Sequence, residues 1–144
     1  DTIHKDLRRA RNSLISIIPT STGAARAVSE VLPDLKGKID GSAIRVPTVN
    51  VSLVDFKFFS KIETSEDDLN NLFLKAEKDS FQNIIQTTSE PLVSNDFNHN
   101  PNSAIVDLSE TKVLNKKFCR ILAWYDNEWG FSNRLVDVIS TLSR

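Results

Sequence analysis

The sequence is poor in the residues that many catalytic and structural motifs require. Its 144 residues contain one cysteine, four glycines and no methionine. A single cysteine cannot form an internal disulfide, which fits a reducing compartment, and we expect a cytoplasmic protein. Four glycines leave no P-loop or dinucleotide-binding fingerprint. No apolar run approaches the roughly 18 residues that a membrane span needs, and no basic-then-apolar leader indicates secretion.

The charge balance gives no sign of a polyanionic partner. Eighteen basic residues stand against nineteen acidic ones, and the net charge is −1. This balance does not favour binding to nucleic acid or to an acidic membrane surface. A hydrophobic fraction of 40% is typical of a globular protein with a core. We expect residues 1–144 to form a single domain, and the missing methionine at position 1 predicts a piece of a longer protein.

Hydrophobic periodicity predicts an α+β fold. Apolar positions with helical spacing indicate a helix from Ala24 that ends at Pro33, a second helix over residues 64–80 and a last one through Leu135 and Leu142. The second helix has Thr64 or Ser65 as its cap and Leu69, Leu72, Phe73 and Ala76 on one face. Strands are predicted over residues 42–62, with a bulge or a change of neighbours near Leu53–Asp55, and over residues 82–87, 91–94, 103–108 and 116–126. This order favours a mixed, largely antiparallel sheet covered by helices on one face.

A cluster of hydroxyl residues is the first candidate binding site. The segment "IIPTSTGAARAV" places Thr20, Ser21 and Thr22 directly before Gly23 and the first helix. A helix N-terminus has unpaired N–H groups and partial positive charge, so hydroxyls there cap the helix and the same place accepts phosphate. Taken alone, the cluster is more simply explained as an ordinary cap.

Arg45 and Asn127 are the other two candidates. Arg45 stands between apolar residues in a predicted strand, where a phosphate or an internal carboxylate would satisfy its charge. Asn127 lies in "WYDNEWG" and offers both an amide donor and a carbonyl acceptor, so it is able to recognise another amide. The simpler explanation of this segment is an aromatic core edge in which Asp126 or Asn127 caps the last helix.

The remaining reactive residue types carry no site. Cys119 lies in a strand that is apolar on both faces, where a thiol behaves as a small inert hydrophobe. His4 and His99 lie in polar segments without metal-ligand spacing, so we expect no metal site. No Ser-His-Asp or Cys-His pair is recognisable.

Five ordered segments carry a close resemblance to one family. They are "HKDLRRAR", "IIPTSTGAARAV", "LPDLKGKIDGSAIRVPTVNVSLVD", "PLVSNDFNHNP" and "WYDNEWGFSNRLVD". Together they resemble the C-terminal, catalytic-domain part of bacterial phosphorylating glyceraldehyde-3-phosphate dehydrogenase, over nearly the whole chain. The resemblance implies an NAD-dependent glycolytic oxidoreductase that uses glyceraldehyde 3-phosphate and inorganic phosphate and forms a homotetramer.

The resemblance also implies roles for individual residues. Thr22 and Gly23 match the family segment that binds the phosphates of substrate and of inorganic phosphate, and Arg45 matches a phosphate-binding arginine. Asn127 matches the asparagine that binds the carboxamide of the nicotinamide ring. The basic start, from Asp1 to about Arg11, resembles the end of the loop near the cofactor of a neighbouring subunit. The final helix resembles the one that packs on the cofactor-binding domain.

The family's reactive groups have no counterpart in the sequence. The nucleophilic cysteine motif, its histidine and the Rossmann domain would all lie upstream, so the chain alone is predicted to be inactive. "DFNHNPNSAIVD" and Phe131 lean slightly towards the sister activity, an erythrose-4-phosphate dehydrogenase. The intact T-G-A-A segment favours the glycolytic enzyme. A non-catalytic anion-binding or interaction module is the alternative of another class.

Overall fold

The computed structural model describes residues 3–143, which fall into two compact units that divide between Val49 and Asn50. The predicted basic start includes Asp1 and Thr2, which lie outside the described residues. The first unit contains β1 (Ile18–Ser21), α1 (Ala24–Val31), a short 3-10 helix (Pro33–Leu35) and β2 (Ser42–Arg45). The second contains β3 (Ser52–Phe59), α2 (Glu66–Lys78), β4 (Ile85–Thr88), a 3-10 helix (Ser94–Phe97), β5 (Ala104–Leu114), β6 (Phe118–Tyr125) and α3 (Trp129–Leu142).

The first unit is built on a two-stranded antiparallel sheet. β1 pairs with β2 so that Ile18 lies opposite Arg45 and Ser21 lies opposite Ser42. Ile18 and Thr20 are buried while their neighbours are exposed, which is the alternation of a strand with one covered face. The helix predicted from Ala24 is confirmed, and it ends just before the proline-led 3-10 helix.

The second unit contains a four-stranded sheet in the order β3-β6-β5-β4. β4 pairs parallel with β5, and the other two pairings are antiparallel, so the predicted mixed, largely antiparallel sheet is confirmed. β6 is a central strand, as its apolar residues on both faces predicted. α2 packs on this sheet, where Asn70 donates to the backbone oxygen of Leu108 and Thr87 donates to Glu77. The α+β class is therefore confirmed.

The best-packed core of the second unit lies at one end of the sheet. Val51, Phe97 and Ile105 are buried together, and the partly buried Leu92 and Trp124 pack against them. The rings of Phe97 and Trp124 are stacked with centroids 5.3 Å apart. Full burial of such a side chain contributes about 1.5–3 kcal/mol, so this cluster anchors the loop of residues 89–103 to the sheet.

The predicted strand over residues 42–62 is two strands, and the change of phase within it is not caused by a bulge near Leu53–Asp55. β3 pairs with β6 without interruption from Ser52 to Phe59. The apolar phase changes because the chain leaves β2 and turns into the core at Val51, which is buried and has a φ of 70°. The register shift of this sheet lies instead in β5, between Asp107 and Lys112.

The strand predicted over residues 91–94 is also wrong, because this segment leads into a 3-10 helix. The carboxylate of Asp96 accepts a hydrogen bond from the backbone N–H of Val93 at 2.8 Å and closes the turn. A short polar side chain that bonds to nearby backbone competes with strand pairing.

The second predicted helix is confirmed together with its cap. Ser65 is the N-cap of α2, and its hydroxyl accepts from the N–H of Asp68 while Asp68 accepts from the N–H of Ser65. This reciprocal pair is a capping box. One detail of the predicted apolar face is wrong, because Leu72 is 61% exposed whereas Leu69, Phe73 and Ala76 are half-buried.

The last predicted helix is confirmed as α3, but its apolar face is exposed. The exposed fractions are 48% for Leu135, 55% for Val138, 64% for Ile139 and 81% for Leu142. Four aliphatic side chains on one helix face form a contiguous apolar surface of the second unit. Within residues 3–143, no helix has the length and apolar character of a membrane span.

Candidate functional site

Thr22 and Gly23 lie at the junction of β1 and α1, where both are exposed. The hydroxyl of Thr22 accepts a hydrogen bond from the backbone N–H of Ala24 at 3.2 Å, but the N-cap of α1 is Gly23, which provides no side-chain cap. Gly23 has a φ of −84°, which any residue can adopt, and a Cβ there would meet no atom within 4 Å. The junction therefore presents a hydroxyl and the positive end of a helix to solvent.

Thr20 has a different environment from Thr22. It is buried, and its hydroxyl accepts hydrogen bonds from Arg9 Nη2 at 2.6 Å and Arg9 Nε at 3.2 Å. Arg9 Nη2 also donates to the backbone oxygen of Ser21 at 3.0 Å. These contacts fix the basic N-terminal segment to β1 and bring a cation to the strand end just before Thr22.

Arg9 was not among the residues selected from the sequence. Its only signal there is the basic run "HKDLRRAR", in which no single arginine stands out. Beside Arg9 and Thr20 lies an open hollow of about 420 Å³. Its lining residues are Asp6, Arg8, Pro19, Thr20, Ser21 and Ser42.

Arg45 is the last residue of β2, and it is exposed. Its apolar neighbours predict a buried position for Arg45, but Ile44 is 62% and Val46 is 48% exposed. Arg45 is therefore not buried, and its charge does not require a partner within the protein. No carboxylate within residues 3–143 forms an ion pair with it. Its guanidinium is accordingly open to an anion from solution.

The strand register separates Arg45 from the Thr22 junction. Arg45 lies opposite Ile18, at the far end of the sheet from the Ser21–Ser42 pair that precedes Thr22. Three steps along a strand span about 10 Å. Arg45 and the Thr22 junction therefore lie at opposite ends of one small sheet.

Asn127 lies between the end of β6 and the start of α3, and its side chain is exposed. The N-cap position of α3 is Glu128, and the backbone N–H groups at this junction bond to Asp126. Its Oδ1 accepts from the N–H of Glu128 at 3.1 Å and from the N–H of Trp129 at 2.8 Å. Of the two residues that the sequence offered as a cap, Asp126 is the one that bonds to the backbone at the start of α3, and Asn127 is exposed.

Asp126 is itself buried, with 3% of its surface exposed. Its Oδ2 accepts from Asn50 Nδ2 at 2.8 Å and from the N–H of His99 at 2.9 Å. Burial alone would raise the pKa of Asp126, but the hydrogen bonds from Trp129, His99, Glu128 and Asn50 outweigh it and lower the pKa below its ordinary value. The carboxylate is therefore held in its charged form.

The single thiol is inaccessible. Cys119 is fully buried in β6, and its Sγ lies 3.5 Å from the backbone oxygen of Lys117. This position agrees with the prediction that Cys119 belongs to the core. His99 packs its ring against Trp129, with centroids 5.1 Å apart. Across residues 3–143, no group of three His, Cys, Asp or Glu side chains is arranged to hold a metal ion.

The structure thus defines an α+β protein. One unit has exposed groups suited to anions, and the other has the exposed amide of Asn127 on a turn that Asp126 holds in place. Residues 1–127 match the family described as "Glyceraldehyde 3-phosphate dehydrogenase, C-terminal domain". The chain belongs to this family.

Three bacterial relatives illustrate the similarity, and each is named "Glyceraldehyde-3-phosphate dehydrogenase". The protein from Xanthobacter flavus is 52% identical over 144 residues. The one from Zymomonas mobilis is 54% identical over 146 residues, and the one from Cereibacter sphaeroides is 50% identical over 144 residues. Each match covers 100% of this chain but 43% of the relative, so the chain spans less than half the length of these relatives.

Proposed function

We propose that this chain is the C-terminal catalytic part of a longer phosphorylating glyceraldehyde-3-phosphate dehydrogenase. The whole enzyme would be a cytoplasmic, glycolytic homotetramer that oxidises glyceraldehyde 3-phosphate with NAD and inorganic phosphate. The observation that carries the proposal is the pair of exposed anion-accepting features on one small sheet, Thr22–Gly23 and Arg45. Two such features match a reaction with a phosphorylated substrate and a second, attacking phosphate.

In this proposal, the first unit positions phosphate groups. Thr22 donates its hydroxyl proton to a phosphate oxygen, and the positive end of α1 at Gly23 favours the negative charge. Arg45 forms paired hydrogen bonds to the phosphate of the aldehyde substrate. These groups hold the reactants in place and neutralise charge, while the nucleophile lies outside this chain.

Asn127 is the proposed contact to the nicotinamide ring. NAD, when bound, supplies the hydride acceptor of the reaction. The exposed amide of Asn127 fits the ring carboxamide, because each group has one acceptor and two donor hydrogens. Two such bonds fix the orientation of the ring and thereby select the face that is presented to the substrate.

The apolar face of α3 supports the proposal that a cofactor-binding domain belongs to the whole protein. Leu135, Val138 and Ile139 are each about half or more exposed, and such a surface is stabilised when another domain covers it. The names of the relatives favour neither the erythrose-4-phosphate activity nor a non-catalytic module.

The test is NADH formation by the full-length protein that carries this chain. We expect NADH to form from glyceraldehyde 3-phosphate only when NAD and inorganic phosphate are both present, and more efficiently than from erythrose 4-phosphate. The isolated chain serves as the control and should form no NADH, because its one thiol is buried in β6. A full-length protein that is inactive on glyceraldehyde 3-phosphate, or that prefers erythrose 4-phosphate, would contradict the proposal.

A further inference from the structure

One buried carboxylate joins three separate parts of the second unit. Asp126 accepts hydrogen bonds from Asn50, just before β3, from His99, in the loop before β5, and from Glu128 and Trp129 at the start of α3. All four donors lie within 3.1 Å of a carboxylate oxygen. Four bonds to one carboxylate exceed what a helix cap requires, because a cap uses one oxygen and one or two donors.

The two oxygens of Asp126 have different tasks. Oδ1 bonds to the N–H groups of Glu128 and Trp129, so it closes a turn of the main chain around Asn127. Oδ2 is held by Asn50 and His99, which fix the direction of the carboxylate and therefore of Oδ1. The other side of Asn127 is fixed by the last pair of the β3–β6 ladder, Ser52 with Tyr125.

We propose that Asp126 is a positioning residue for cofactor binding, because its carboxylate fixes the turn from which the Asn127 amide reaches the nicotinamide carboxamide. The inference rests on the proposed function of Asn127. An exposed asparagine on a mobile turn loses freedom when it binds a ligand, whereas a turn that is already fixed does not. A displacement of about 1 Å in a positioning group also has large kinetic effects.

A second buried aspartate in the same unit separates positioning from general stability. Asp107 is 5% exposed, and it accepts hydrogen bonds from Ser109 and from the indole of Trp124. The groups that donate to Asp107 do not lie next to an exposed polar side chain at the start of a helix. Asp107→Asn is therefore the matched control for Asp126→Asn, since burial, residue type and chemical change are alike.

The experiment is a double-mutant cycle in the full-length enzyme, with the KM for NAD as its readout. The variants are Asp126→Asn, Asn127→Ala and the double variant. Asp126→Asn keeps the shape of the side chain but turns an NH2 group towards donors. We expect Asp126→Asn to raise the KM for NAD about tenfold. The double variant should have the same KM as Asn127→Ala, because Asp126 acts through Asn127.

The controls separate a positioning role of Asp126 from a general loss of stability. Asp107→Asn is expected to lower the Tm as much as Asp126→Asn does and to leave the KM for NAD unchanged. If Asn127→Ala raises the KM for NAD by itself and the two rises multiply in the double variant, this inference is overturned and the proposed function is left intact. An unchanged KM in Asn127→Ala would contradict both.

A milder variant covers the case in which Asp126→Asn does not fold. Asn50→Ala removes one of the two donors to Oδ2 and leaves the turn at Oδ1 in place. We expect a rise of about threefold in the KM for NAD. The rise should vanish when Asn127 is already alanine, and its persistence there would overturn the inference.

Discussion

Replacement of Gly130 by alanine tests the packing at the start of α3. Gly130 is buried, and a Cβ at this position would lie 2.8 Å from the backbone oxygen of Asn102. The opposing backbone cannot move away easily, because the N–H of Ser103 donates to Ile84 at 2.8 Å and the N–H of Asn102 donates to Asn100 at 3.0 Å. The added methyl group therefore forces α3 away from the 102–103 segment.

The expected loss of stability follows from two opposing effects. Overpacking of this kind costs about 1–3 kcal/mol. Alanine is favoured over glycine inside a helix by about 0.8–1.0 kcal/mol, and less in the first turn, where Gly130 lies. The steric cost is larger, so the free energy of unfolding should fall by about 1–2 kcal/mol. For a chain of this size, that lowers the Tm by about 2–8 °C.

Thermal unfolding followed by circular dichroism measures this change. Gly41→Ala is the control, since a Cβ at Gly41 would meet no atom within 4 Å. Its free energy of unfolding should stay within about 0.5 kcal/mol of the parent value. If Gly130→Ala unfolds at the same temperature as the parent or higher, the close approach of α3 to Asn102 is wrong.

Two further predictions concern the cap of α2 and the acid stability of the second unit. Ser65→Ala removes half of the capping box and should lower the free energy of unfolding by about 1 kcal/mol. Thr64→Ala should change it less, and equal losses of the two variants in urea titrations would refute the assigned cap. The pKa of Asp126 is lowered in the folded state, so its ionisation stabilises the protein above the unfolded-state pKa of about 3.9, and this contribution is lost as the pH falls through the folded-state pKa. The stability advantage of the parent over Asp126→Asn should therefore be present at pH 7 and shrink below about pH 4; an advantage independent of pH would contradict this assignment.

Local signals in the sequence were sufficient for the helices and for the central strand. The cap of α2 depends on Ser65 and Asp68, which are three residues apart, so the pattern itself contains both partners. β6 is a central strand with partners on both edges, and Ile121 and Leu122, which point to opposite faces, are both buried. These elements depend on near neighbours in the sequence or on burial alone, and each therefore has a recognisable local pattern of residue types.

Features that depend on distant residues were missed or wrongly assigned. The break between β2 and β3 requires Val51, a β-branched residue, at a positive φ that its conformational propensity disfavours. Packing of Val51 with Phe97 and Ile105 stabilises this conformation. The role of Asp126 depends on Asn50, which is 76 positions away in the chain. Arg45 was assigned to an apolar interior because its neighbours are apolar, although those neighbours are exposed.

The central claim is that exposed groups of this chain bind the phosphates of an aldehyde dehydrogenase reaction, and Arg45→Ala tests it most directly. The measurement is kcat/KM of the full-length enzyme for glyceraldehyde 3-phosphate and for unphosphorylated glyceraldehyde. A lost hydrogen bond to a charged group costs about 1.5–3 kcal/mol, so kcat/KM for the phosphorylated aldehyde should fall about 10- to 100-fold. The value for unphosphorylated glyceraldehyde should not change, and Lys38→Ala, which removes another exposed positive charge, should alter neither. An unchanged kcat/KM of Arg45→Ala for glyceraldehyde 3-phosphate would contradict the account.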